Sequence, residues 1–499
     1  MRTFIFLLFI GFAISMSSCR EDFEFEPSTG NLTFSKDTVY CDTVFTNISS
    51  STYSLKVYNK SNKDIKIPTI RLARPDSKYR ITVDGMTGEN QNNRTFRDVE
   101  LLAKDSMYIF IEVTADVASS NPTDFLYTDQ ILFDEGVNQQ KVELVTLIQD
   151  AYFLYPKRFS DGTTETLTIE GIEEPIYGFF LDENDPVNGN EYLWKNDKPY
   201  VIYGYAAVPN AKTLEIEPGA RIHFHANSGL IVGNGATLKA KGTLEDKIIF
   251  EGDRLEPGFS NVAGQWETIW LTAGSTANEI EHVIIKNAVV GLNIDSNDGN
   301  FMPIKNTEIY NSSLIGLYAK TAKIQGENVV INNAGIASLY CGIGGSYEFK
   351  HCTFNNNWSS SRQVAVWLNN YYKDIDGNTQ TEALNQADFK NCIIYGSNTN
   401  ELLLDPNSGA AFNTSFSKCV IKFGTTSNAL YSFIYNNPEI KRSENPNFLD
   451  VSNNKLNIGG DNSSAKGFGD NIGVPFDILG NERVSPFDVG AYNWVIFED

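Results

Sequence analysis

The chain has 499 residues, 62 of them Asp or Glu against 40 Lys or Arg, for a formal net charge of -22 at pH 7. A field of that sign repels phosphate backbones and argues against nucleic acid as a partner. Four histidines and six cysteines, with no Cys-x-x-Cys pair, argue against a zinc site, and the length suffices for two or three domains with cores of their own.

Taken in chain order, the first feature is Arg2 followed by the apolar run 4–14, FIFLLFIGFAI. Crossing a bilayer takes about 20 apolar residues, so this run reads as an export signal rather than a membrane span. Met16-Ser17-Ser18-Cys19 resembles the cleavage site of bacterial lipoproteins, with methionine where leucine is usual. The resemblance implies that residues 1–18 are removed and that Cys19 carries a thioether-linked diacylglycerol and an N-acyl chain of the palmitate type. Several chains, at ~0.8 kcal/mol per buried CH₂, hold a protein to a membrane far more firmly than one. An ordinary signal peptide that leaves a structural cysteine is the alternative. Residues 19–30, with Glu21, Asp22, Glu24 and Glu26, are similar to the acidic tether of Bacteroidetes-type surface lipoproteins. That likeness implies a lipid-anchored place in the outer membrane, exposed at the cell surface; a plain solvated linker is the other reading.

Residues 31–150 alternate apolar and polar positions between Asn, Asp, Gly and Ser turns, as in "DSMYIFIEVTAD". Period-2 runs of this kind predict an antiparallel β-sandwich. The domain is similar to the immunoglobulin-like spacers behind many surface lipoprotein anchors, and Cys41 has no cysteine partner within it. Residues 151–191, rich in Gly, Pro and acids, read as a connector.

The strongest signal is internal repetition. "IEHVIIKN", "IKNTEIYN", "GENVVINN", "FKHCTFNN", "FKNCIIYG" and "FSKCVIKF" align on Val283, Thr307, Val329, Cys352, Cys392 and Cys419, at steps of 24, 22, 23, 40 and 27 residues. A coil of that size holds three short strands and three turns, and the long step marks an insertion, so residues 192–499 predict a parallel β-helix. One position earlier lie His282, Asn306, Asn328, His351, Asn391 and Lys418. They read as polar rungs at a corner, where Asn accepts unusual backbone angles. Cys352, Cys392 and Cys419 read as a buried thiol ladder, with a disulfide as the alternative.

"LEIEPGARIHF", "LIVGNGATLKAKGTLEDKIIFEG" and "GQWETIWLTAGSTANEIEHVIIKNAVVGL" resemble the coils of right-handed parallel β-helix proteins of bacterial surfaces, the pectate-lyase-like superfamily fold. "NPNFLDVSNNKLNIGGDNSSAKGFGD" through "SPFDVGAY" resembles their C-terminal closing segment; Thr268 departs from a common glycine. The expected fold class is therefore all-β, a sandwich followed by a right-handed β-helix.

That fold hosts lyases, hydrolases, epimerases, adhesins and scaffolds, so function rests on residues. Uronan lyases and epimerases need a base plus a cation to neutralise the substrate carboxylate, and the sequence shows no Lys/Arg pair beside clustered acids. Glu348 and Asp388 share one offset and read as an exposed rung. His282 and His351 share a register but lie three coils apart, ~14 Å at one strand spacing per coil, too far to act on one bond. Asp374, Asp376 and Asn378 alternate as in a calcium loop, yet Glu382 falls ninth from Asp374 instead of twelfth, so an Asp-Gly turn is the favoured reading. Trp358, Trp367, Tyr371 and Tyr372 crowd the insertion and are the candidate carbohydrate-binding surface, although "VAVWLNN" also permits Trp367 to face the core. The sequence thus points to a non-catalytic binding or scaffolding role for a polysaccharide or an outer-membrane protein. An acidic-polysaccharide lyase or uronan epimerase is the alternative.

Overall fold

The computed structural model describes residues 24–115, 126–169, 172 and 174–497. Cys19, the signal segment and the first tether acids Glu21 and Asp22 lie outside the described residues. The chain divides into two compact units, Met1–Asp150 and Ala151–Asp499.

In the first unit a six-stranded and a four-stranded sheet share one core. Alternation does the sorting: Ser106–Val113 buries Met107, Ile109, Ile111 and Val113 and turns Tyr108 and Phe110 outward. Most pairings are antiparallel as expected, but Thr38–Phe45 runs parallel to Gln140–Gln149, and Glu26–Pro27 runs parallel to Ile65–Leu72. The arrangement is therefore mixed, because each of these strands is brought back to its partner by a long connection and not by a hairpin. Cys41 is a buried free thiol, pushed up to about 12 by desolvation.

The second unit is a β-helix-like solenoid of three long sheets with 11, 10 and 9 strands among the described residues, parallel throughout except for the short edge strand Thr166–Leu167. Successive members of a sheet come from successive coils. In the first sheet Val283–Lys286, Glu308–Ser312, Val330–Ala334, Thr353–Asn356, Ile393–Gly396 and Cys419–Ile421 pair in that order. The sequence alignment is the structural register. His282, Asn306, Asn328, His351, Asn391 and Lys418 all have φ between 47° and 53°, the left-handed corner. Their side chains bond along the stack: Asn306 Nδ2 to His282 Nε2 at 3.2 Å, Asn328 Nδ2 to Asn306 Oδ1 at 2.9 Å, and Asn391 Nδ2 to His351 Nε2 at 2.9 Å. Cys352, Cys392 and Cys419 stack inward as free thiols, with Cys392 Sγ donating to carbonyls, so the ladder reading holds and the disulfide does not. Beside them Phe349, Phe389 and Phe416 stack at 5.2 and 5.0 Å, and Phe433, from the 3-10 segment Ala429–Ile434, closes the column at 5.0 Å.

Two boundaries differ from the sequence reading. The stretch read as a connector belongs to the solenoid: Tyr152–Leu154 pairs with Tyr200–Ile202, and Ile176–Phe180 with Tyr205–Val208. Polar loops between these short strands hide their repeat from the sequence. The C-terminal segment, in turn, does not end the stack. It lies along the outer face of the first sheet, where Leu456, Ile458, Ile478 and Val489 cover Val330, Ile393 and Val420. Arg483 fastens it, Nη2 donating to Asn328 Oδ1 at 2.9 Å and to the carbonyls of Gly490 and Ala491.

Two buried groups give the solenoid a pH dependence. Burial and the Arg483 charge lower His351 to about 3, so the unfolded chain takes up its proton first as pH falls. Stability from this site is complete above the unfolded value near 6.5 and is lost progressively toward pH 3. The full effect is on the order of 5 kcal/mol. His351→Asn, which suits the left-handed corner, should flatten the pH dependence of urea unfolding between pH 7 and 4. Glu401 is fully buried and pushed up to about 8 by desolvation. The unfolded carboxyl ionises near 4.5, so stability falls as pH rises from there to 8. Glu401→Gln should stabilise the protein at pH 7 by on the order of 2 kcal/mol in the same assay.

Candidate functional site

In-register stacking turns one outward position of the second sheet into a continuous column. Phe180, Ala207, Ile231, Trp270, Asn293, Tyr318, Tyr340, Trp367 and Leu403 follow one another along it, rung by rung. Rungs lie ~4.8 Å apart, so flat side chains on adjacent rungs meet face to face. Tyr318 and Tyr340 stack at 4.8 Å and 17°, Tyr340 and Trp367 at 4.3 Å and 9°.

A polar column runs two residues further on. Asp295 Oδ2 accepts from Trp270 Nε1 at 2.8 Å, and its Oδ1 pairs with Lys320 Nζ at 2.5 Å. Lys320 also lies 5.3 Å from the Tyr318 ring centre. Asn369 Nδ2 donates to the Tyr340 hydroxyl at 3.0 Å, and Tyr371 donates to Asp405 Oδ2 at 2.9 Å. The Asp405 hydrogen bond raises the Tyr371 phenol above its ordinary range, and burial raises that of Tyr340.

At the Trp270 end the face opens into a groove of about 590 Å³. Small residues make the room: Ala207 and Gly233 line the floor, Thr168 and Ile169 form a lip, and Phe180 and Trp270 stand at its two ends. Those two rings are three rungs apart, about 14 Å at one strand spacing per rung. Asn210 and Asn234 border the groove, and their exposed side-chain amides make no hydrogen bond to any described residue. Among the described residues, the only charged side chain in the lining is Asp295, already paired with Lys320.

Of the aromatic residues singled out from the sequence, Trp367 belongs to the column and points outward while Val366 and Leu368 are buried. Tyr371 stands beside it, Tyr372 is exposed in the hairpin formed with Thr379–Thr381, and Trp358 sits apart at the preceding turn, its carbonyl accepting from Ser397. The insertion therefore does not gather the four into one patch. Trp270, Asn293, Tyr318 and Tyr340 were not singled out, although their spacing of 23, 25 and 22 residues, then 27 to Trp367, is the coil repeat. Following the coils aligned on Val283, Thr307 and Val329 ten or eleven residues onward would have found Asn293, Tyr318 and Tyr340.

Asp374 is used by the hairpin itself: its Oδ1 accepts from the Asp376 and Asn378 amides and its Oδ2 from Gln380. Asp374, Asp376 and Asn378 thus form the Asp-Gly turn, and among the described residues no group of three His, Cys, Asp or Glu is placed to hold a metal. Glu348 and Asp388 stand on adjacent rungs, bridged by Gln386, which donates to both.

One further cluster escaped the sequence reading. His225 Nδ1 lies 2.7 Å from Asp253 Oδ2, and the Tyr203 ring packs on the imidazole at 4.4 Å. The Asp253 hydrogen bond raises the His225 pKa. Nearby Glu251 pairs with Lys286 at 2.6 Å.

No protein-family model matches the chain, and no curated protein matches it. Solved structures with local likeness include the following two. One is a family 123 glycoside hydrolase from Clostridium perfringens, studied for glycolipid glycan hydrolysis, at 6% identity over 25% of this chain and a TM-score of 0.17. The match spans 30% of that hydrolase, less than a third of its length. The other is the PapD-like domain 7 of human CEP192, at 12% identity over 27% of this chain and 95% of that one, with a TM-score of 0.16. Likeness of that order carries no functional argument.

Proposed function

We propose that this protein is a non-catalytic glycan-binding lipoprotein of the cell surface, anchored through Cys19, with the first unit as an immunoglobulin-like spacer and the second as a right-handed parallel β-helix that presents the binding face. The observation that carries this reading is the groove on the second sheet. Aromatic rings close its two ends, and unpaired amides of Asn210 and Asn234 border it. Aromatic rings pack against the C–H faces of sugars, and amides supply both a donor and an acceptor to hydroxyls. With Lys320 neutralised by Asp295, the described residues of the groove offer no free cation to a uronate, so the favoured ligand is a neutral polysaccharide lying along the stack. The stacked Tyr318, Tyr340 and Trp367 extend the same strip beyond the groove.

A second reading, lyase or epimerase action on an acidic polysaccharide, has one observation in its favour: the Asp253-oriented His225, a candidate base, beside Tyr203. Glu251 and Asp253 make its surroundings acidic, which disfavours a uronate there.

Affinity electrophoresis of the full chain in gels containing mannan, xylan or starch should show retardation by at least one neutral polymer and none by polygalacturonate. Trp270→Ala should weaken that retardation about tenfold, the scale of ~1.4 kcal/mol for one lost aromatic contact. Retardation by polygalacturonate alone, with ultraviolet-absorbing unsaturated products that His225→Ala abolishes, would replace this reading by the enzymatic one. Retention of outer-membrane proteins through the same face, with no polymer bound, would make the face a scaffold. In cells, Cys19→Ala should move the protein from the membrane to the soluble fraction; persistence in membranes would refute the anchor.

A further inference from the structure

We propose a second binding site, for a single neutral sugar ring, in the cavity between the first solenoid sheet and the C-terminal segment laid across it. The cavity measures about 460 Å³, within the range of small-ligand pockets. Coil residues Asn355, Asn357 and Tyr395 form one wall, and Asn445, Asn447 and Phe448 from the C-terminal segment form the other. This proposal does not rest on the reading of the groove, which lies on a different sheet.

Three observations point to the ligand. First, among the described residues no Asp, Glu, Lys, Arg or His lines the cavity, and the ammonium of Lys422 beside it is held on the Gly396 carbonyl and over the Tyr395 ring at 5.0 Å. Second, the polar groups are amides with capacity to spare. Asn355 is 2% exposed and spends its Nδ2 on Asn332 Oδ1 at 2.7 Å, while its Oδ1 takes no hydrogen bond from any described residue. Asn445 accepts from the Asn447 amide through Oδ1, which leaves its Nδ2 free, and the side chains of Asn357 and Asn447 bond to no described residue. Third, Tyr395 and Phe448 meet edge to face at 6.3 Å and 79°, giving the cavity an apolar wall.

Amides that both donate and accept match vicinal hydroxyls, which do the same, and an aromatic wall matches the C–H face of a pyranose. A lone water would satisfy Asn355 but would leave the aromatic wall and the remaining amides unused. Both walls must be present for the site to exist, so a bound sugar holds the C-terminal segment against the coils by mass action.

The test is saturation-transfer NMR on the full chain with the methyl glycosides of glucose, galactose, mannose and N-acetylglucosamine as probes, and methyl glucuronoside as the charged control. At least one neutral glycoside should show transfer that survives Trp270→Ala and falls about tenfold in Asn357→Leu and in Asn447→Gly. The second variant removes the amide yet keeps a residue suited to the positive φ of 54° at that position. Saturating that glycoside should also slow amide hydrogen exchange across residues 445–460 in the wild-type chain. The proposal is overturned if no neutral glycoside shows transfer, if transfer is lost in Trp270→Ala and unaffected by the two asparagine variants, or if the glucuronoside binds equally well. The first result would make the cavity a hydrated void, and the second would assign all sugar binding to the groove.

Discussion

The second unit depends on a single constraint: every coil must return its backbone to the same register so that its strands pair with those of the coil before and the coil after. A lone coil has no partner for most of its N–H and C=O groups, and leaving them unpaired would cost more than the coil's own apolar contacts return. The device that keeps the register is local. At one corner of each coil a residue enters the left-handed region, and Asn occupies three of the six positions compared, His two and Lys one. Where Asn or His stands, the side chain adds a bond along the stack, so the residue that permits the turn also ties it to its neighbour.

Strict register has a consequence for the surface. Any outward position, repeated coil after coil, becomes a line of side chains one strand spacing apart. When the residues are aromatic the line becomes a stack, as with Tyr318, Tyr340 and Trp367; where small residues such as Ala207 and Gly233 stand near the surface beside Trp270, the face opens into a groove. The binding face follows from the geometry of the fold together with the choice of residue at one offset, without any dedicated loop. The first sheet shows the same logic differently. Its outward column carries Val330, Ile393 and Val420, which are apolar, and the chain covers them with its own C-terminal segment. That covering encloses the asparagine-lined cavity and buries Arg483 against the corner ladder.

The inward-facing half of this architecture was legible in the sequence. The alignment on Val283 through Cys419 matches the strand register at every step, because buried positions tolerate few residue types and so repeat visibly. The outward half was harder to read. Trp270, Asn293, Tyr318, Tyr340 and Trp367 share an offset but not a chemistry, and no single residue type marks the column. The insertion after Cys352 drew attention to clustered aromatics, yet closeness in sequence within a loop does not bring side chains together: Trp358 ends at a turn while Trp367, nine residues on, joins the stack. The first coil was missed for a related reason, since Tyr152–Leu154 and Ile176–Phe180 are short strands separated by long polar loops that break the spacing.

By itself, then, the sequence determined the all-β class, the coil repeat and the corner positions, since each follows from short-range periodicity and backbone preference. The tertiary structure alone decided which outward residues meet, that His225 finds Asp253, and that the C-terminal segment lies along a side of the stack and not at its end. These are contacts between residues tens of positions apart, set by how coils superimpose and where a covering segment finds apolar surface. No local pattern encodes them, because the partner of each side chain belongs to another turn of the chain.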